Sequence, residues 1–88
     1  MKKIILSRHA QGKLSEKFAE KVKIDIALIR QAILKPDFTE RDKNDATLTH
    51  CIKKFNDRYL RVIFRKEKES IKVVTFFYDR RIRRKLRR

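Results

Sequence analysis

Alternation of apolar and polar positions is strongest over residues 58–78, where two runs rich in aromatic and β-branched side chains, 59–65 and 71–78, flank the charged segment 66–70. Such side chains fit a pleated, half-buried surface, and the charged stretch between them offers nothing to bury, so the pattern predicts a β-hairpin. A turn loop of two or four residues sets Arg65 opposite Ser70, and the two-residue side-chain period then sorts the hairpin into two faces. Leu60, Val62, Phe64, Ile71, Val73, Thr75 and Phe77 fall on the core face. Tyr59, Arg61, Ile63, Arg65, Lys72, Val74, Phe76 and Tyr78 fall on the other, an interleaving of cations and aromatics better suited to phosphate and base contact than to a core. A loop of three or five residues would mix the two sets.

The rest of the chain supplies partners for this hairpin. Residues 3–7 are short and β-branched and read as an edge or partner strand, with Ser7 capping a helix that starts at Arg8. Along that helix Ala10, Leu14, Phe18 and Val22 recur every four residues and form a narrow apolar stripe, weakened by Gly12 by about 1 kcal/mol relative to alanine. A tight turn over 21–24 leads to Asp25, a capping residue ahead of Ile26, Leu28, Ile29, Ala32, Ile33 and Leu34. This second helix stops at Lys35-Pro36, because proline disfavours helical geometry in the residue before it. Residues 38–46 carry no useful periodicity and read as a loop with room for a fragment of strand.

Strand character resumes over 47–55, and Asn56-Asp57 is turn chemistry that leads into the hairpin. A two-residue loop there pairs Phe55 with Arg58 and sets His50, Ile52 and Lys54 beside Tyr59, Arg61 and Ile63. It also turns Lys53 toward the core, which requires an exposed strand end or a bulge, so the choice between Lys53 and Lys54 rests on register. The expected fold is α+β: an N-terminal strand, a two-helix hairpin and an antiparallel three-stranded meander over residues 1–79, followed by a basic tail over 80–88.

Composition turns this frame toward a class of partner. With 88 residues the chain is one domain with a modest core, and its 26 lysines and arginines against 11 acids leave a formal charge of +15. Self-repulsion on that scale points to a polyanion: nucleic acid first, then an acidic protein, then an anionic membrane surface. The tail adds Arg80, Arg81, Arg83 and Arg84 to a run of seven cations in nine residues, an electrostatic grip whether it forms a short helix or an unstructured arm. Arg65 and Lys72 extend the grip along the hairpin, and Arg61, interleaved with Tyr59, Phe76 and Tyr78, is the cation best placed for single-stranded RNA.

Other classes drop out. One cysteine, Cys51, excludes an intramolecular disulfide and leaves too few soft ligands for structural zinc; it reads as a small core residue in a reducing cytoplasm. No metal or cofactor is expected. The opening Met-Lys-Lys-Ile-Ile-Leu has too short an apolar run for a signal peptide, and no segment approaches the roughly 20 apolar residues of a membrane span. Gly12 is the only glycine, so there is no phosphate-binding glycine loop, and Glu16, Glu20, Glu67 and Glu69 sit beside lysines as charge balance.

The order of elements resembles the RelE/ParE toxin superfamily, and most closely a branch of small domains marked by a His-Ala dipeptide with a basic residue a few positions on. A helix ending near proline follows, then strands of the type Leu-Arg-Val-Ile and Val-Val-Thr. Here these are His9-Ala10 with Lys13, residues 29–36, 60–63 and 73–75. The resemblance implies a toxin that cleaves ribosome-bound messenger RNA without a metal, by attack of a ribose 2′-hydroxyl on the scissile phosphate, neutralised by an acidic antitoxin protein. Basic side chains would then stabilise the crowded negative charge, at Lys54, Arg61, and Tyr78 with Arg80 or Arg81, with His9 or His50 as titrating group. The chain lacks the C-terminal His-Tyr pair and glutamate base of some relatives: no histidine follows His50. A non-catalytic nucleic-acid-binding module and a gyrase-directed toxin are the alternatives.

Overall fold

The computed structural model describes residues 3–15 and 24–82. Along them run β1 (Lys3–Leu6), α1 (Arg8–Ser15), α2 (Ile26–Leu34), β2 (Phe38–Arg41), β3 (Leu48–Phe55), β4 (Arg58–Lys66) and β5 (Ser70–Tyr78). The strands form one five-stranded mixed sheet ordered β1-β5-β4-β3-β2, with β1 parallel to β5 and every other pair antiparallel. The α+β class is as expected, but the meander β3-β4-β5 is the middle of a larger sheet. Its added edge, β2, comes from the segment read as a loop. All four of its residues are exposed, so no buried face imposed an alternation to betray it.

Both helix starts follow from their caps. Ser7 Oγ accepts from the Ala10 amide at 3.1 Å and donates to the Val74 carbonyl at 2.9 Å, so one hydroxyl starts α1 and ties it to β5. Asp25 has extended backbone and accepts from the Leu28 amide at 2.9 Å, the N-cap geometry for α2. Lys35 ends that helix in front of Pro36, as proline requires. The apolar positions Phe18 and Val22 and the turn expected over 21–24, Ile24 apart, lie outside the described residues.

Both helices cover one face of the sheet. Ala10 of α1 and Ile29 and Ala32 of α2 join Ile24, Cys51, Leu60, Val62, Phe64, Val73 and Phe76 in a single buried cluster. Removing a side chain such as Ile29 or Phe76 wholly from water contributes about 1.5–3 kcal/mol. The β3-β4 turn holds the expected register: Phe55 pairs with Arg58, Lys54 with Tyr59, Ile52 with Arg61 and His50 with Ile63. Asn56 supplies the one positive φ among the described residues, 56°, which asparagine tolerates in tight hairpin turns.

The second hairpin departs from its expected register. Arg65 pairs with Lys72 and Phe64 with Val73, but Ile63 then pairs with Thr75, so Val74 is an extra residue in β5. A one-residue bulge inverts every side chain beyond it. Phe76, expected outward, is fully buried in the core, and Tyr78, also expected outward, pairs with Leu60 and packs against the core. Thr75 and Phe77, expected inward, move to the opposite face, where Phe77 stands opposite Arg61.

Candidate nucleic-acid interface

The face away from the helices presents Phe38 and Glu40 from β2, His50, Ile52 and Lys54 from β3, Tyr59, Arg61, Ile63 and Arg65 from β4, and Lys72 and Phe77 from β5. Its centre is a tied polar network rather than a free cationic surface. Arg61, 6% exposed, donates from Nε to Asp79 Oδ2 at 2.8 Å and from Nη1 to Glu40 Oε1 at 2.5 Å. Nη1 also lies 2.6 Å from His50 Nδ1, and His50 Nε2 lies 2.7 Å from Asp42 Oδ1. A guanidinium can only donate, so Nδ1 accepts from Arg61 and Nε2 carries the proton given to Asp42. Both ring nitrogens of His50 are therefore occupied, which leaves neither lone pair to take a proton from a 2′-hydroxyl.

The carboxylates of the network are held in their charged form. The hydrogen bond from His50, followed by the Asn44 amide at 3.0 Å, lowers the Asp42 carboxyl below its ordinary range. Burial alone would push Asp79 up, but the Arg81 amide at 2.9 Å and the Arg61 guanidinium outweigh it and leave Asp79 lowered too. Asp45 is lowered chiefly by the Thr47 hydroxyl at 2.6 Å, and it also stands 3.7 Å from Arg65 Nη2. No buried side-chain polar atom lacks a partner among the described residues, as a network that rigidifies rather than strains requires.

The expected site residues are thus separated. Arg61 and Lys54 share the open face, but Tyr78 lies on the helix side, where the Arg58 guanidinium carbon stands 5.1 Å from its ring centre. Its proposed place beside Arg61 is corrected by the bulge. His9 is exposed at the start of α1, on the helix side, and no contact joins it to Arg61 among the described residues. Lys13, of the same motif, donates to the Phe76 carbonyl at 2.6 Å and to Thr75 Oγ1 at 3.1 Å. It thereby occupies the β5 edge beyond the end of β1, and burial lowers its ammonium from the usual value.

Arg65 is exposed and paired with Asp45, Lys72 is half-buried, and Arg80 is exposed. Arg81 is largely exposed yet bonded to Asp79. Arg83 and Arg84 lie outside the described residues. Lys54 faces outward with its ammonium 5.9 Å from the Tyr59 ring centre, while Lys53 turns to the helix side within 4.0 Å of Asp37, so the register settles which lysine the open face carries.

Sequence reading missed Glu40, Asp42 and Asp79 as members of the site. The only available signal was their position, flanking the two strands that enclose Arg61. Burial pushes the Cys51 thiol up to about 11, in keeping with its core role. Among the described residues no group of histidines, cysteines and carboxylates is arranged to hold a metal, and no helix is long and apolar enough to cross a membrane. Comparison with family models, with curated proteins and with solved structures gives no significant match to this chain.

Proposed function

We propose that the protein is an RNA-binding domain of the RelE-like toxin kind, which holds single-stranded RNA against the open sheet face and the basic surface around it. The observation that carries this reading is the unequal use of charge. Asp25 caps a helix, Asp37 accepts from the Lys54 amide, and Glu40, Asp42, Asp45 and Asp79 are tied into the network around Arg61 and Arg65. These six acids are engaged in hydrogen bonds or ion pairs within the molecule, exposed though several of them are, whereas the cations Lys54, Arg58, Lys66 and Arg80 are exposed. The chain carries a net charge of +15, and a polyanion is the partner that relieves such an excess. An acidic protein would compete for the same surface, which is how an antitoxin would silence it.

Cleavage of the bound RNA by 2′-hydroxyl attack is a second reading, favoured by one observation. Glu40, 48% exposed at its side chain, holds Arg61 Nη1 from the outside, so a scissile phosphate that displaced it would meet a guanidinium already fixed by Asp79 and His50. The test is fluorescence anisotropy with single-stranded RNA at 50–300 mM salt, followed by mapping of new 5′ ends with and without ribosomes. Binding with log K falling linearly against log salt, at about 0.7 per phosphate neutralised, supports the binding reading. Absence of binding at the lowest salt overturns it. New ends that vanish in Glu40→Arg but persist in Glu40→Gln support cleavage, and intact RNA in every condition removes it.

A further inference from the structure

Beside the network, at the end of the sheet near the β3-β4 turn, Asp37, Phe38, Lys53, Lys54, Asn56 and Tyr59 line an open cleft of about 540 Å³. Its chemistry is of three kinds. Phe38 is 43% exposed on the edge strand, and Tyr59 stands on β4 with its ring centre 5.9 Å from the ammonium of Lys54 on the strand between, so two aromatic residues and one cation share this end of the face. The Asp37 carboxylate is fixed: its own amide donates to the Ile52 carbonyl at 2.9 Å, and Oδ2 accepts from the Lys54 amide at 2.8 Å. Lys53 approaches Oδ1 only to 4.0 Å, which leaves Oδ1 and the second lone pair of Oδ2 able to accept from a ligand.

We propose that this cleft is a base-binding subsite for single-stranded RNA, with guanine as its preferred occupant. The proposal rests on the RNA-binding reading above and names the place where an unstacked base is held. The base lies on Tyr59 or Phe38, since aromatic faces accept any base by stacking, while the adjoining phosphate meets Lys54. Asp37 selects among bases. A carboxylate is acceptor-only, and the Watson–Crick edge of guanine alone presents two adjacent donors, a ring N–H and an exocyclic amine, to such a group. Cytosine and adenine offer one exocyclic amine beside an acceptor, and the acceptor would face the carboxylate unfavourably. Asn56, exposed at the turn, also lines the cleft and carries both a donor and an acceptor.

The test uses the whole chain with short fluorescein-labelled oligonucleotides, G-containing and G-free, and amide chemical-shift mapping with guanosine and cytidine 5′-monophosphates. Tyr59→Ala and Phe38→Ala should each weaken oligonucleotide binding about 5- to 100-fold while leaving the salt slope unchanged, and Tyr59→Phe should bind like the parent. Lys54→Ala should lower the slope instead. Asp37→Asn should abolish the preference for G while keeping the affinity for G-free RNA. Shifts should centre on residues 37–38 and 53–59 with the guanosine nucleotide. Circular dichroism of each variant identifies any that fails to fold, and the nucleotide mapping on the parent protein stands independently of them. If RNA binds with a steep salt slope but Tyr59→Ala and Phe38→Ala are unaffected and shifts lie elsewhere, the subsite is wrong and the RNA reading survives. If no oligonucleotide binds, both fall.

Discussion

Arg61 illustrates what a residue-level reading captures and what it leaves out. Alternation placed it on the face away from the helices, where it is found, but as a solvated cation available to phosphate. Its side chain is instead 8% exposed and clasped by Glu40 and Asp79, which lie 21 and 18 positions away in the chain. Nothing local to β4 announces such partners, because they arrive from the edge strand and from the end of β5. Removing one member of a buried ion pair leaves the other charged and unsolvated. Arg61→Ala should therefore lower unfolding free energy by about 3–5 kcal/mol. Loss of function in that variant would report collapse of the network as much as loss of a contact. The paired replacement Arg61→Met with Asp79→Leu should recover only part of the loss, since it removes the buried charge pair but leaves His50 Nδ1 and the Arg81 amide without these partners. Urea unfolding measures both, and an Arg61→Ala midpoint equal to that of the parent would show that the pair bears no weight.

Among the elements, those defined by caps and by one-sided burial were legible. Ser7, Asp25 and Lys35-Pro36 mark helix ends by local chemistry, and 47–55 with Asn56-Asp57 set a register that β3 and β4 keep in full. The β5 bulge was illegible for a physical reason: from Val73 to Tyr78 every residue suits a strand and nearly all are apolar, so either parity buries a plausible set. Only packing against the helices chooses Phe76 over Phe77, and with it the face of Tyr78. The edge strand β2 was hidden for the complementary reason, having no buried face at all. Helix α1 carries a testable residue of this reasoning. Nothing lies within 4 Å of a Cβ built at Gly12, and its φ is not in the left-handed region. Gly12→Ala should therefore raise stability by about 0.4–1 kcal/mol, by restricting the unfolded chain and favouring the helix. A thermal melt reads the gain, and a lower midpoint would mean that the glycine serves a contact other than helix formation.

At the scale of the molecule, the same carboxylates that leave the surface cationic also hold the open face together, and this couples stability to pH. Asp42, Asp45 and Asp79 all have folded-state values below the ordinary 3.8 of an unfolded aspartate. For a group lowered by folding, the unfolded chain binds protons first as pH falls, so its contribution is complete above that ordinary value and is lost as pH drops through the folded one. Stability set by these three groups should be flat from neutrality to about pH 5 and then decline. Protonation of each also adds to a charge of +15 that already repels itself, so the decline should be shallower in added salt, which screens the long-range repulsion more than the short hydrogen-bonded contacts. Asp79→Asn isolates one share of the effect. Its amide cannot give up a proton, so the variant should be less stable than the parent at pH 7 yet lose less on acidification, and the two curves should converge below pH 4. Parallel curves from urea unfolding across that interval would assign the acid limb to other groups and leave Asp79 a packing residue, whereas convergence would tie the outward cationic charge and the rigidity of the sheet face to one set of aspartates.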